Sequence, residues 1–193
     1  MHQIKCHCGQ VHGHVLPGGP SSRVKCYCSD CQAFGRYFGE EAQVLDAQGG
    51  TELVQVCQSR LRFEKGIEHL AILRLTEKGM LRWYAQCCRT PIGNTMSDRK
   101  MSFIGLIHTC LDKSAIDIDF GKQMAMFSTA EATGEPKPQQ RGVFTTILRF
   151  LRLVLMSRLL GRYKKSPLFR ESGEPITIPC VLSADELRLL KKT

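Results

Sequence analysis

Through the first two thirds of the chain, short strand-like runs of mainly apolar positions alternate with polar turn signals: QVHGHVL (10–16), ELVQV (52–56), LRF (61–63), LAILRL (70–75), LRWYA (81–85) and MSFIGLI (101–107). Runs of this length, rich in branched and aromatic side chains, are what strands with a buried face require. Breakers separate them, namely PGGPSS, QGG, EKG twice and SDRK. The expected connections are therefore antiparallel hairpins rather than βαβ crossovers. One short helix is expected at SDCQAFGRYFG (29–39), with Ser29 as its N-cap.

The pattern changes near residue 131. EATGEPKPQQRG carries two prolines and few apolar groups and reads as a linker or exposed loop. VFTTILRFLRLVLMSRLLGRYKK (143–165) follows as the most helix-like stretch, and SADELRLLKK closes the chain with Ser183 and Glu186 spaced as a capping box. The expected organisation is a mainly β domain over 1–128, a linker or loop over 129–142 and a helical C-terminal extension over 143–193.

At about 100° per residue, Arg149 and Arg152 lie near Thr145 on one side of helix 143–165, and Arg158 and Arg162 fall on the opposite side. Its polar face switches midway, so each half is expected to pack against something different. The segment is too charged for a membrane span. Packing on the β domain or across a homodimer is the first expectation, and a membrane surface or a protein partner the second.

Composition narrows the picture slightly. At 193 residues, with 42% hydrophobic and 23% charged residues, the chain has enough apolar material for a core. The formal charge of +9 favours anionic partners without selecting one. Nucleic acid is disfavoured, because no interleaved aromatics or reading motif accompany the charge. The opening MHQIKCHCGQ has no apolar run, so no secretory signal is expected and the cytoplasm is the expected compartment. Thiols there stay reduced, and clustered ones more often bind metal than pair as disulfides.

Seven of the ten cysteines are clustered: Cys6 and Cys8 in CHCG, Cys26, Cys28 and Cys31 in CYCSDC, and Cys87 with Cys88 in RWYAQCCRTPIGN. Zinc takes thiolates tetrahedrally at about 2.3 Å; a structural site uses four protein ligands, a reactive one three with an open position. The C-x-C-x-x-C set supplies three from one turn. The open alternatives are disulfides, free thiols, or redox cycling of the Cys28-x-x-Cys31 pair, although no thioredoxin-like βαβ frame surrounds it.

CHCG, then CYCSDCQAFG about twenty residues on, then an R-aromatic-aromatic…C-x-T-P segment together resemble the glutathione-dependent formaldehyde-activating enzyme family, which includes centromere protein V-like proteins. The resemblance covers roughly residues 3–110. It implies an antiparallel zinc-binding β-tent-like fold, one or two zinc ions per chain and a carbon–sulfur lyase activity. That activity makes or cleaves S-hydroxymethylglutathione from a small thiol such as glutathione. By the same resemblance Cys26, Cys28 and Cys31 hold the catalytic zinc, and Cys6 and Cys8 half of a structural one. The family's later cysteine pair falls on Ala85 and Cys88, and its glycine on Arg89. Either Cys87 replaces the missing ligand, or a histidine or water does, or the site holds no zinc. The alternative function is a non-enzymatic zinc-stabilised binding module that uses helix 143–165.

Among the other candidates, His7, His12 and His14 lie near the first pair, His12 and His14 reading more simply as the polar face of a strand. His69 and His108 are expected as satisfied core or interface groups, and Cys57, Cys110 and Cys180 as small buried hydrophobes. Trp83 and Tyr84 are expected to pack beside Cys87 and Cys88. Lys25 and Arg36 are candidates for pairing with the carboxylates of an anionic thiol ligand.

Overall fold

The computed structural model describes residues 1–39 and 42–192. Its chain is mainly β. Strands β1 (His2–Lys5), β2 (His12–Val15) and β5 (Leu61–Lys65) form a three-stranded antiparallel sheet. An eight-stranded sheet holds β3 (Ser22–Cys26), β4 (Thr51–Cys57), β6 (Leu70–Arg74), β7 (Leu81–Ala85), β8 (Thr90–Thr95), β9 (Phe103–Ile107), β10 (Met124–Phe127) and β11 (Cys180–Val181). Its order is β10-β3-β4-β9-β8-β7-β6-β11.

The large sheet is apolar on both faces, which is why its central strands read as continuous rather than alternating hydrophobic runs. Val54, Val56, Ile72, Trp83, Ile104 and Leu106 point toward the small sheet and meet Ile4, Val11, Val15 and Leu61 in the main core. On the other side, Leu53, Leu73 and Ile107 pack under helix α1 (Ser29–Tyr37), whose Ala33 and Phe34 are fully buried, while Cys57 and Phe103 pack under helix α3 (Val143–Leu159). The short helix α2 (Ile116–Phe120) precedes β10, and α4 (Ala184–Lys191) packs beside α1. Gly13 is required where β2 meets β5: a Cβ there would lie 2.2 Å from the Arg62 carbonyl oxygen.

Several expectations need correction. Both edge pairings of the large sheet, β10 with β3 and β11 with β6, are parallel. Each joins strands distant in sequence, so hairpin spacing carries no signal of them. Helix α1 starts one residue earlier than a Ser29 cap implies: its N-cap is Cys28, and the Ser29 amide donates to Glu131 Oε2 (2.8 Å). Helix α3 ends at Leu159, because Gly161 in the left-handed region closes it and the Gly161 amide returns to the Arg158 carbonyl. The capping box at Ser183 and Glu186 is present.

Residues 129–142 are tied to the fold. Besides the Glu131 contact, the Thr133 amide donates to Gln48 O (3.1 Å) and the Met126 amide to Arg141 O (2.9 Å). Beyond α3, Leu168 and Phe169 sit in the main core, with Phe169 edge-on to Trp83. No helix of the described residues is long and apolar enough to cross a membrane.

Candidate metal centres

The chain builds its first thiol group from two turns pressed together. One joins β1 to β2 and carries Cys6 and Cys8. Its tight reversal needs Gly9 at φ +76°, with the Gly9 amide donating to Cys6 O (2.9 Å). The other joins β7 to β8 and carries Cys87 and Cys88. The His7 amide donates to Thr90 Oγ1 (2.9 Å), locking the turns face to face.

The four sulfur atoms lie within 4.8 Å of one another. Separations are 3.6 Å for Cys6–Cys8, 3.9 Å for Cys6–Cys87, 3.4 Å for Cys8–Cys87 and 3.9 Å for Cys87–Cys88. Four thiolates placed tetrahedrally about 2.3 Å from one zinc would be about 3.8 Å apart, so the group fits a single zinc-sized ion. None of these pairs lies at the disulfide distance of about 2.05 Å, and all four cysteines are free.

Adjacent cysteines can share one centre only if the backbone turns sharply. Arg89, directly after them, takes φ +58°, costing roughly 1–2 kcal/mol for a residue with a Cβ. Its guanidinium is held over the rings of Tyr37 and Phe38 and donates to Tyr37 O (2.9 Å). Ala85, where the resembled family has its cysteine, is a fully buried strand residue in the main core. The thiol of Cys87 comes to the group in its place.

Protonation in this group is uneven. Burial raises the Cys6 thiol, against the Val11 amide that donates to its sulfur (3.2 Å). Burial and the Cys8 and Cys6 thiols push Cys87 up to about 12. Burial also works against the Cys88 thiolate, but hydrogen bonds from the Thr90 hydroxyl and the Cys8 amide prevail and bring it down to about 6. The cluster thus carries thiolate character that a bound metal would extend, displacing protons.

The second group forms where β3 runs into α1. Cys26 ends the strand, Cys28 caps the helix and Cys31 lies in its first turn, so the C-x-C-x-x-C spacing wraps three thiols around a helix N-terminus. The Sγ atoms of Cys26 and Cys28 are 3.3 Å apart, and all three lie within 4.8 Å. Among the described residues no further His, Cys, Asp or Glu joins them. Hydrogen bonds from Cys26 and Cys31 drive the Cys28 thiol well down, with Arg82 contributing. The bond to Cys28 and burial raise Cys26 to about 11 against the Cys31 bond, and bonds to Cys26 and Cys28 with burial hold Cys31 high. These directions favour negative charge on Cys28, at the helix N-terminus, over its two neighbours.

Sequence reasoning assigns Arg82 no role, yet it is the buried cation of this site, lying over the Phe34 ring and 3.9 Å from Asp30. Only its place in the R-aromatic-aromatic motif hinted at it. Lys25 and Arg36 are already engaged: Lys25 with Asp46 (3.0 Å), and Arg36 with Leu190 O and Gln32 Oε1, each at 2.9 Å. His12 and His14 both bind Glu64, and His69 is half-exposed beside Glu68. His108 is half-buried, its Nδ1 3.4 Å from the Glu52 carbonyl oxygen. Cys57 and Cys110 are buried, as expected, but Cys180 is exposed at the sheet edge. Trp83 packs in the main core and Tyr84 against Phe38. A cleft of about 450 Å³, lined by His7, Phe38, Cys88, Arg89 and Lys113, borders the four-thiol group.

A family model described as a family of unknown function (DUF6151) matches residues 1–178. This chain belongs to DUF6151. Both thiol groups and helix α3 fall inside the matched part, while α4 lies beyond it. No curated protein matches this DUF6151 chain. A solved crystal structure of a Rhodobacter sphaeroides protein is similar at 20% identity and a TM-score of 0.44, over 65% of this chain and 99% of that one.

Proposed function

We propose that this chain is a two-centre zinc–thiolate protein and that its second centre handles a small thiol. Cys6, Cys8, Cys87 and Cys88 would hold a closed structural ion. Cys26, Cys28 and Cys31 would hold one that keeps a position for an exogenous ligand. The observation carrying this reading is the difference in donor count, four thiols in one group and three in the other. Bound zinc would supply Lewis acidity and stabilise a thiolate near neutral pH.

The resemblance noted in the sequence supplies the substrate: a glutathione-type thiol and formaldehyde. Sulfur bonds to the carbonyl carbon, the thiol proton passes to the carbonyl oxygen, and S-hydroxymethylglutathione results, with the reverse step cleaving that bond. Arg82, buried beside Cys28, would oppose the negative charge that gathers there. The β-tent-like reading of the two sheets belongs to the same proposal.

The test is isotope-exchange NMR of glutathione with formaldehyde, alongside glutathione titration into the cobalt-substituted chain. Faster exchange, lost in Cys28→Ser but kept in Cys180→Ser, with altered cobalt bands on adding glutathione, is the expected result. Unchanged exchange and unchanged bands would remove the thiol from the reading.

A further inference from the structure

Helix α3 presents two apolar faces. Its inner stripe, Phe150, Leu153 and Val154 with Ser157, packs on Cys57 and Phe103. Its outer stripe is also apolar, although it faces solvent: Phe144 is 75% exposed, Leu148 50%, Leu151 55%, Leu155 56% and Leu159 72%. A surface helix ordinarily turns charged groups outward. Here five large apolar side chains form a continuous strip of about 22 Å at 1.5 Å per residue, too large an exposed patch to be incidental.

The flanks identify what covers it. Arg149 and Arg152 border the strip on one side, and Arg158, paired with Asp98 Oδ2 (3.5 Å), borders it on the other; Arg162, Lys164 and Lys165 follow at the C-terminal end. No Asp or Glu occurs between Glu135 and Glu171. At the N-terminal end, a cleft of about 430 Å³ lined by Lys122, Arg141 and Arg149 continues the basic surface. A second copy docked strip to strip would bring these cations together with no acidic residue of the segment between them. An anionic surface with an apolar interior satisfies both features at once.

We propose that the outer face of α3 docks on a membrane surface containing anionic phospholipid. The helix lies in the interfacial plane, its leucines reach the acyl boundary and its arginines and lysines meet headgroup phosphates. The inner stripe keeps the helix attached to the sheet, so binding needs no unfolding. This docking stands apart from the thiol centres and survives or fails without them.

The experiment is flotation of the full zinc-supplemented chain with vesicles of phosphatidylcholine alone or doped with phosphatidylserine. Flotation with the doped vesicles only, weakened by salt, is expected. Leu148→Gln/Leu151→Gln/Leu155→Gln should weaken it by about tenfold or more, and Arg149→Gln/Arg152→Gln by a similar factor. All five side chains are solvent-exposed, so circular dichroism should show both variants folded. Equal flotation with neutral vesicles, flotation with neither, or a leucine variant that binds like wild type would overturn the proposal. So would a dimer in sedimentation that the leucine variant abolishes, since the strip would then bury against a second copy.

Discussion

Leu168→Ala tests whether the chain beyond α3 is integral to the β fold. Leu168 is fully buried in the main core, held from both directions. Its amide donates to Ser166 Oγ (3.2 Å), that hydroxyl donates to Gln58 Oε1 (2.6 Å), and the Gln58 amide group donates to Phe103 O (2.8 Å) at the head of a central strand. The Ile176 amide donates to the Leu168 carbonyl (3.1 Å). Truncation removes three carbons, at about 0.8 kcal/mol each or about 2.4 kcal/mol of transfer free energy. The pinned backbone limits collapse, so a cavity contribution brings the loss to about 3–4 kcal/mol, within the range for buried leucines. For a chain of this size that lowers Tm by about 6–16 °C, at 2–4 °C per kcal/mol. Urea unfolding with excess zinc should show a lower midpoint at unchanged slope, while Leu189→Ala, at an exposed position, stays within about 0.5 kcal/mol. A loss below about 1 kcal/mol for Leu168→Ala would mean that residues 143–193 are an appendage.

Further predictions concern the thiols and the half-buried His108. Cys87→Ser should speed zinc loss to a chelator, and adding Ala85→Cys should not restore retention, because that side chain points into the core; restored retention would show that position 85 can reach the metal. His108 should titrate below its ordinary value of about 6.5, because burial disfavours its charged form. A folded pKa depressed in this way gives stability that is present above the unfolded value and lost as pH falls below it. His108→Gln should therefore flatten the decline in stability below about pH 6.5. An imidazole NMR titration midpoint above 6.5 would refute the burial argument.

Strands whose two faces meet apolar surfaces were legible because a run such as LAILRL has no helical period. β8 was not, since TPIGNT carries a proline and a glycine; the sheet admits Pro91 through a register shift opposite Trp83 and Tyr84. β1 and β3 are short and largely polar and β10 is only four residues long, so all three are defined by their partners rather than their own pattern. Cysteine spacing identified both thiol groups, because C-x-C and C-x-x-C are local geometry. It left Cys87 undecided, because that depends on the positive φ at Arg89 and on how two distant turns meet. The switching polarity of α3 had a physical cause, two apolar faces, that only the placement of the sheet could separate.

Zinc per chain by native mass spectrometry tests the central claim most directly, for wild type, Cys87→Ser/Cys88→Ser and Cys28→Ser/Cys31→Ser. Two thiol groups of separate construction predict two zincs in wild type and one in each folded variant. No zinc in wild type, or a single zinc that survives both pairs of substitutions, would contradict the account.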